Sequence, residues 1–249
     1  MIQKKLQLKK WRNSLVDLLL PPQCHICGHS LASHDEQALC STCFNEVKYI
    51  GKNICSLCGL PISGDITSNH LCQDCLVSGR PYRFARSITF YEQPVNVLLH
   101  RLKYHFDGTV FDPLLRIARG FDFSLFYDCD IILPVPLYVD RLKKRGMNQA
   151  LLLARLFFPE QKNRINHSLF IRSRDTISQT TLDSDQRKAN LKNAFLVKDT
   201  DIIDKKSICL VDDVFTTGTT VNECSKTLIR SGAREVRVLT MARVRKKGV

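Results

Sequence analysis

Four Cys-x-x-Cys pairs near the start of the chain constrain its fold more than any other feature. Eight of the eleven cysteines belong to these pairs, which are separated by 12, 11 and 13 residues. Two sulfurs three positions apart can hold one edge of a tetrahedral zinc ion, and a second pair completes the coordination. A region this small has too little core to fold alone, so the pattern predicts a domain that folds around metal.

The cysteine pairs repeat as a unit of about 31 residues. The sequence Cys-His-Ile-Cys-Gly at 24–28 returns as Cys-Ser-Leu-Cys-Gly at 55–59. The repeat favours pairing of neighbours in sequence, while a crossed pairing of the first pair with the third stays open. Sequential pairing gives two structural zinc sites, with the ligands Cys24, Cys27, Cys40 and Cys43 for the first and Cys55, Cys58, Cys72 and Cys75 for the second. Metal-free thiols and iron–sulfur clusters are the less favoured alternatives.

The rest of the chain alternates between strand-like and helix-like segments. Strands are predicted at 86–91, 131–135, 208–211 and 235–241, and helices at 94–104, 148–158 and 221–230. Such alternation predicts an α/β fold in which a mostly parallel sheet carries helices on both faces. The predicted domains are an amphipathic helix at 1–20, a double zinc-binding domain at 21–78 and an α/β domain at 82–249.

Residues 207–220 give the strongest indication of a bound ligand. An apolar strand leads into two carboxylates, Asp212 and Asp213, and a hydroxyl-rich turn follows before a helix begins. Open parallel sheets bind ligands at the carboxyl ends of their strands, where a helix N-terminus favours an anion. The predicted phosphate-binding residues are Thr216, Thr217, Gly218, Thr219 and Thr220. The two acids would repel a phosphate unless they contact ribose hydroxyls, with a magnesium ion sharing that work. The segment has neither the lysine of a Walker loop nor the glycine spacing of a dinucleotide site.

A basic loop within residues 130–150 is the second candidate. An apolar strand leads into two prolines, then into a basic run with Arg141, Lys143, Lys144 and Arg145, and then into a helix. If that strand ends at the same edge of the sheet, the loop lies beside the first site, where its charge suits a diphosphate or DNA. Taken alone, the run is more typical of a solvated helix face.

Both segments resemble motifs of known proteins. Residues 207–220 closely resemble the diphosphate-sugar motif of type I phosphoribosyltransferases, which implies that Asp212 and Asp213 hold the ribose hydroxyls and that 216–220 hold the 5-phosphate. Nearly the whole chain is similar to the late-competence ComF family, whose pattern it matches at Pro134, Pro136, Leu137, Arg141, Arg145, Gly146, Asn148, Gln149, Gln179, Thr180, Arg187, Asn190, Ala194 and Phe195. The chain departs from that pattern at Tyr138, where histidine is common, and at Met147, where an aromatic residue is common. The resemblance implies a type I phosphoribosyltransferase-like sheet behind the small cysteine-rich zinc-binding domain.

The ComF resemblance also implies a function. It implies an accessory protein of DNA uptake that contacts single-stranded DNA beside a helicase and keeps a site for phosphoribosyl diphosphate with magnesium. A net charge of +13, from 37 basic and 24 acidic residues, favours a polyanionic partner. Neither a membrane span nor a signal peptide is recognisable, so we expect a cytoplasmic protein. A metabolic phosphoribosyltransferase and a non-catalytic sensor of the sugar diphosphate remain alternatives, because the sequence shows no acceptor pocket.

Overall fold

A computed structural model of the chain describes residues 22–31, 38–62, 64, 70–104, 108–174, 191 and 193–246. The helix predicted at 1–20 lies outside the described residues. Four positions that match the ComF pattern also lie outside them, namely Gln179, Thr180, Arg187 and Asn190.

The described elements follow the predicted alternation. The α-helices are α1 (Ser41–Asn45), α2 (Gln73–Ser78), α3 (Val95–Tyr104), α4 (Phe111–Ala118), α5 (Val139–Arg145), α6 (Gln149–Phe157) and α7 (Thr219–Arg230). The strands are β1 (Phe84–Phe90), β2 (Ile131–Pro134), β3 (Phe170–Arg172), β4 (Phe195–Val197), β5 (Ser207–Phe215) and β6 (Glu235–Arg243). Short 3₁₀ helices occur at Gly108–Val110, Ser124–Phe126 and Pro159–Arg164.

Four of the strands form one sheet in the order β1-β6-β5-β2, and every neighbouring pair in it is parallel. Strands β3 and β4 form a separate antiparallel pair. The predicted fold class, a parallel sheet with helices preceded by a cysteine-rich region, is therefore confirmed. The parallel order also explains the long apolar runs of β5 and β6, because both of their faces are covered.

The two faces of the sheet bury different halves of each strand, since side chains alternate along a strand. Cys209 and Val211 point to the face that packs against α3, α4 and α6. Ile208 and Leu210 point to the other face, which packs against α7 and the β3–β4 pair. Helices on both faces were predicted, and the burial pattern agrees with that prediction.

Strand β5 corrects one expectation from the sequence, which ended this strand at residue 211, before the two acids. The strand instead continues through Asp212 and Asp213 to Phe215, because β6 stays paired with it along this whole stretch. On the other side β2 stops at Pro134, which pairs with Val211. The acids therefore lie on a strand that has lost one neighbour, which opens a cleft beside them.

The cysteine-rich region covers the edge of the sheet at β1. The Phe90 N–H donates to the Lys48 carbonyl at 2.8 Å, and the Ile50 N–H donates to the Ile88 carbonyl at 3.1 Å. Tyr49 thereby forms an antiparallel bridge with Thr89. An uncovered edge strand invites pairing with other chains, so this contact protects the sheet as well as positioning the cysteines.

Candidate functional site: two cysteine clusters and a charged cleft

The eight paired cysteines come together as two compact clusters, and within each cluster the four Sγ atoms lie within 4.8 Å of one another. The members are Cys24, Cys27, Cys40 and Cys43 in the first cluster, and Cys55, Cys58, Cys72 and Cys75 in the second. The pairing is therefore sequential, and the crossed arrangement that the sequence left open does not occur in the structure.

The spacing of the sulfurs fits zinc. Zinc–sulfur bonds of about 2.3 Å give a tetrahedron with edges of about 3.8 Å. The Sγ atoms of Cys27 and Cys40 are 3.8 Å apart, and those of Cys58 and Cys72 are 3.6 Å apart. Four thiolates complete the coordination of the ion and leave no open position, as is typical of a structural site rather than a catalytic one.

Backbone N–H groups orient the sulfurs in the same way in both clusters. The Cys40 N–H donates to Cys24 Sγ at 3.5 Å, and the Cys72 N–H donates to Cys55 Sγ at 3.3 Å. In both repeats a short helix begins directly after the residue that donates this bond. The repeat in the sequence is thus a repeat in three dimensions.

The second cluster is attached to the sheet through its first turn. Ala85 of β1 donates its N–H to the Leu57 carbonyl at 2.7 Å, and the buried Arg243 of β6 donates from Nη1 to the Cys58 carbonyl at 2.8 Å. Gly59 approaches so closely that a Cβ there would lie 2.6 Å from the Ala85 carbonyl oxygen. Because four thiolates around Zn²⁺ leave a double negative charge, the Arg243 guanidinium also stabilises the cluster electrostatically.

A cleft of about 290 Å³ opens at the carboxyl ends of β2 and β5. One wall is formed by the end of β5 and the start of α7, and the other by the loop from β2 through α5 to α6. Lys103 and Tyr104 of α3 and Arg172 of β3 complete the lining. Such a position, outside the carboxyl ends of parallel strands, is where open α/β sheets bind their ligands.

Two acids lie in this cleft with opposite protonation preferences. Lys103 Nζ is 2.6 Å from Asp213 Oδ2, an ion pair whose side chains are 20% and 15% exposed. Burial raises the pKa of the Asp212 carboxyl to about 7, and the charge of Asp213 adds to that rise. Burial alone would lower the pKa of Lys103, but Asp213 raises it above its ordinary value. Near neutral pH the pair therefore carries less than two negative charges.

The predicted phosphate loop lies at the N-terminus of α7. Gly218 adopts the left-handed conformation with φ of 78°, and a Cβ there would lie 2.7 Å from the Phe215 ring, so only glycine fits. Thr216, Gly218 and Thr220 line the cleft. The hydroxyls of Thr217 and Thr219 instead bond to each other at 2.7 Å.

The basic run at the end of α5 divides between the cleft and the solvent. Arg141 and Arg145 line the cleft, while Lys143 and Lys144 are exposed. Arg145 is held by a hydrogen bond from Nη1 to Gln149 Oε1 at 3.2 Å. The structure therefore places this loop beside the phosphate loop, as expected if its strand ended at the same sheet edge.

The loop owes its shape to residues that the ComF pattern contains. Gly146 takes the left-handed conformation with φ of 64° and ends α5. Asn148 accepts from the Ala150 N–H at 3.0 Å to begin α6, and its amide also donates to the Val135 carbonyl at 3.0 Å. Pro136 and Leu137 line the cleft, and Tyr138 precedes α5.

Two cleft residues were missed by the sequence analysis. Lys103 ends a helix whose apolar face alone had been recognised, and Arg172 lies on a strand of only three residues. Arg172 is 9% exposed, and its charge lowers the pKa of Asp212 against the larger effect of burial. No local pattern marks either residue, because both reach the acids only through the folding of distant segments.

These features define a class of protein, one in which a metal-folded cysteine module is joined to an α/β domain with a charged cleft. The Double zinc ribbon domain family matches residues 15–76. The chain is 31% identical over 237 residues to DNA utilization protein YhgH of Escherichia coli strain K12, which covers 91% of this chain and 99% of that protein. It is 32% identical over 222 residues to Competence protein F of Haemophilus influenzae, covering 84% and 91% of the two chains. It is 28% identical over 223 residues to Competence protein ComFC of Bacillus subtilis, covering 84% and 85%. The chain belongs to the ComF family, as its motifs predicted.

Within the described residues, none of the helices combines the length and the apolar character that crossing a bilayer requires.

Proposed function

We propose that this chain is a cytoplasmic accessory protein of DNA uptake whose cleft binds a phosphoribosyl diphosphate. The observation that carries the proposal is the meeting of the acid pair, the Gly218 turn and two arginines of the basic run in one cleft. Each part suits a different part of that ligand, since carboxylates accept from ribose hydroxyls and a helix N-terminus favours a monophosphate. Arg141 and Arg145 suit the diphosphate, because guanidinium groups form strong bonds with phosphate oxygens.

The names of the relatives support the biological part of this proposal, since they refer to competence and to DNA utilization. Lys143 and Lys144, which lie beside the cleft but point to solvent, are the proposed contacts with single-stranded DNA. Lysines bind the phosphate backbone without regard to sequence, which suits a protein that handles incoming DNA. A helicase of the uptake machinery is the proposed protein partner.

A magnesium ion is the proposed companion of the diphosphate. Bound there, it would neutralise charge on the diphosphate and improve it as a leaving group. The carboxylates of Asp212 and Asp213 are oxygen donors of the kind that magnesium prefers. One of these oxygens, Asp213 Oδ2, is already paired with Lys103.

A metabolic phosphoribosyltransferase is the alternative, and one observation favours it. The ring of Tyr104 lines the cleft and is 55% exposed, so a planar acceptor base has a surface on which to stack. Release of diphosphate on addition of a nucleobase would support this alternative. Binding of the sugar diphosphate without release would favour an accessory or sensing role.

The first test measures ligand binding by calorimetry. Wild-type protein should bind phosphoribosyl diphosphate, and the double variant Asp212→Asn, Asp213→Asn should lose binding while keeping its zinc. The matched control is Asp199→Asn with Asp201→Asn, two exposed acids outside the cleft. Absence of binding by the wild type, or equal binding by the cleft variant, would contradict the proposal.

The second test measures transformation frequency in a naturally competent host. If the deletion and the double acid replacement both abolish uptake of a marker, the cleft works in DNA acquisition. If only the deletion does so, the sugar-diphosphate site is not needed for uptake. A deletion without effect would refute the role in DNA uptake and leave the metabolic transferase as the better explanation.

The DNA contact is tested by the dependence of affinity on salt. Lys143→Ala with Lys144→Ala should weaken binding of single-stranded DNA and lower the slope of log affinity against log salt by about 1. Lys198→Ala with Lys226→Ala, two exposed lysines outside the cleft lining, is the control. A slope unchanged by the first pair would place the DNA elsewhere on the protein.

A further inference from the structure

The ion pair between Lys103 and Asp213 answers a problem that the acid pair poses. A ligand with several negative charges must bind beside two carboxylates, and a divalent cation between them is the usual solution. In this cleft an ammonium group already lies 2.6 Å from Asp213 Oδ2. Asp212 is near enough for its charge to act on the same lysine.

The position of Lys103 favours a permanent cation. The residue lies in the last turn of α3, where the helix dipole stabilises positive charge. Its side chain is only 20% exposed, so water screens its attraction to Asp213 less than on an open surface. It contributes to the cleft lining together with Tyr104, the residue that ends the helix.

The remaining charges of the cleft do not replace this contact. Arg172 reaches the neighbourhood of Asp212, while Arg141 and Arg145 belong to the opposite wall, where the diphosphate is proposed to lie. Among the described residues, the ion pair that Asp213 forms in the cleft is the one with Lys103.

We propose that Lys103 is a positioning residue that takes the place of a divalent cation on the acid pair, so that a sugar diphosphate binds there without a metal bridging its ribose to Asp213. The inference rests on the proposed function and refines it. Magnesium then accompanies the diphosphate and acts on that end of the ligand alone. Asp213, held by Lys103, keeps its other oxygen for a ribose hydroxyl.

Calorimetry with phosphoribosyl diphosphate tests this inference when it is run once with a chelator and once with magnesium. Wild type should bind under both conditions. Lys103→Gln should lose about tenfold or more in affinity with the chelator, and much less with magnesium, because the ion can then occupy the vacated place. Lys103→Arg keeps the charge and should stay close to wild type, while Lys198→Gln is the control for loss of a lysine elsewhere. An equal loss with and without magnesium, or no loss, would overturn the inference.

A titration of the ligand-free proteins with magnesium chloride gives an independent result. Lys103→Gln should gain a magnesium site that the wild type lacks, and the gain should disappear when Asp213→Asn is added. Magnesium binding by the wild type as strong as by the variant would refute the inference even if the sugar diphosphate never bound. Sugar-diphosphate binding by wild type only with magnesium would refute it while leaving the proposed function intact, and no binding under either condition would refute the proposed function. Zinc content and melting temperature confirm that each variant is folded.

Discussion

Two glycines at equivalent positions of the zinc repeat allow the attachment of the second cluster to be measured. Gly28 and Gly59 both follow the first cysteine pair of their cluster, and both have positive φ, 71° and 69°. A Cβ at Gly28 would meet nothing within 4 Å, whereas at Gly59 it would meet the Ala85 carbonyl oxygen at 2.6 Å. Gly28→Ala is therefore a control that reproduces the backbone strain without the collision.

The expected difference follows from the bonds that the collision breaks. A left-handed alanine costs about 1 to 2 kcal/mol in either variant. To relieve the contact in Gly59→Ala, the turn must move away from β1 and give up the hydrogen bonds from Ala85 to Leu57 and from Arg243 to Cys58. Each bond contributes about 1 kcal/mol, and a buried guanidinium left without its acceptor adds about 1 more. Gly59→Ala should thus be destabilised by about 3 kcal/mol more than Gly28→Ala.

Thermal unfolding followed by circular dichroism, with zinc in excess, measures this difference. For a protein of this size, about 3 kcal/mol corresponds to a melting temperature lower by about 6 to 12 °C. Melting of the two variants within about 1 °C of each other would refute the inferred attachment of the second cluster to the sheet.

Three further predictions concern the metal and the cleft. Metal analysis should find two zinc ions per chain, and Cys40→Ser and Cys72→Ser should each lose one of them; loss of both ions from a single variant would contradict two separate clusters. Gly218→Ala should reduce the affinity for phosphoribosyl diphosphate by about tenfold or more with unchanged zinc, because its Cβ would displace the Phe215 ring; unchanged affinity in calorimetry would count against the phosphate loop. Since the folded protein keeps a proton on Asp212 up to about pH 7, while the unfolded chain releases it near pH 4, this carboxyl costs more stability as the pH rises through that window. Denaturant unfolding of ligand-free Asp212→Asn should therefore show stability rising relative to wild type by about 1 to 3 kcal/mol between about pH 5 and about pH 8, and a constant difference would contradict the raised pKa.

The covalent spacing of residues in the sequence is enough to predict the two cysteine clusters and the strand with its two acids. Sequential sulfur pairing follows from the repeat, and the turn at Gly218 follows from the acids and threonines around it. Such features depend on residues that are close in the chain, where backbone geometry limits what can form. The sequence also placed the basic loop beside the acids, because parallel strands bring their carboxyl ends to one edge.

Only the tertiary structure decided which charges meet. Lys103 reaches Asp213, and Arg243 reaches Cys58 across 185 positions of the chain. It also decided that β5 runs on through the acids, because the early end of β2 leaves them paired on one side only. These contacts depend on how helices and strands pack against one another, and a lysine at the end of an amphipathic helix carries no local sign of the carboxylate it will meet.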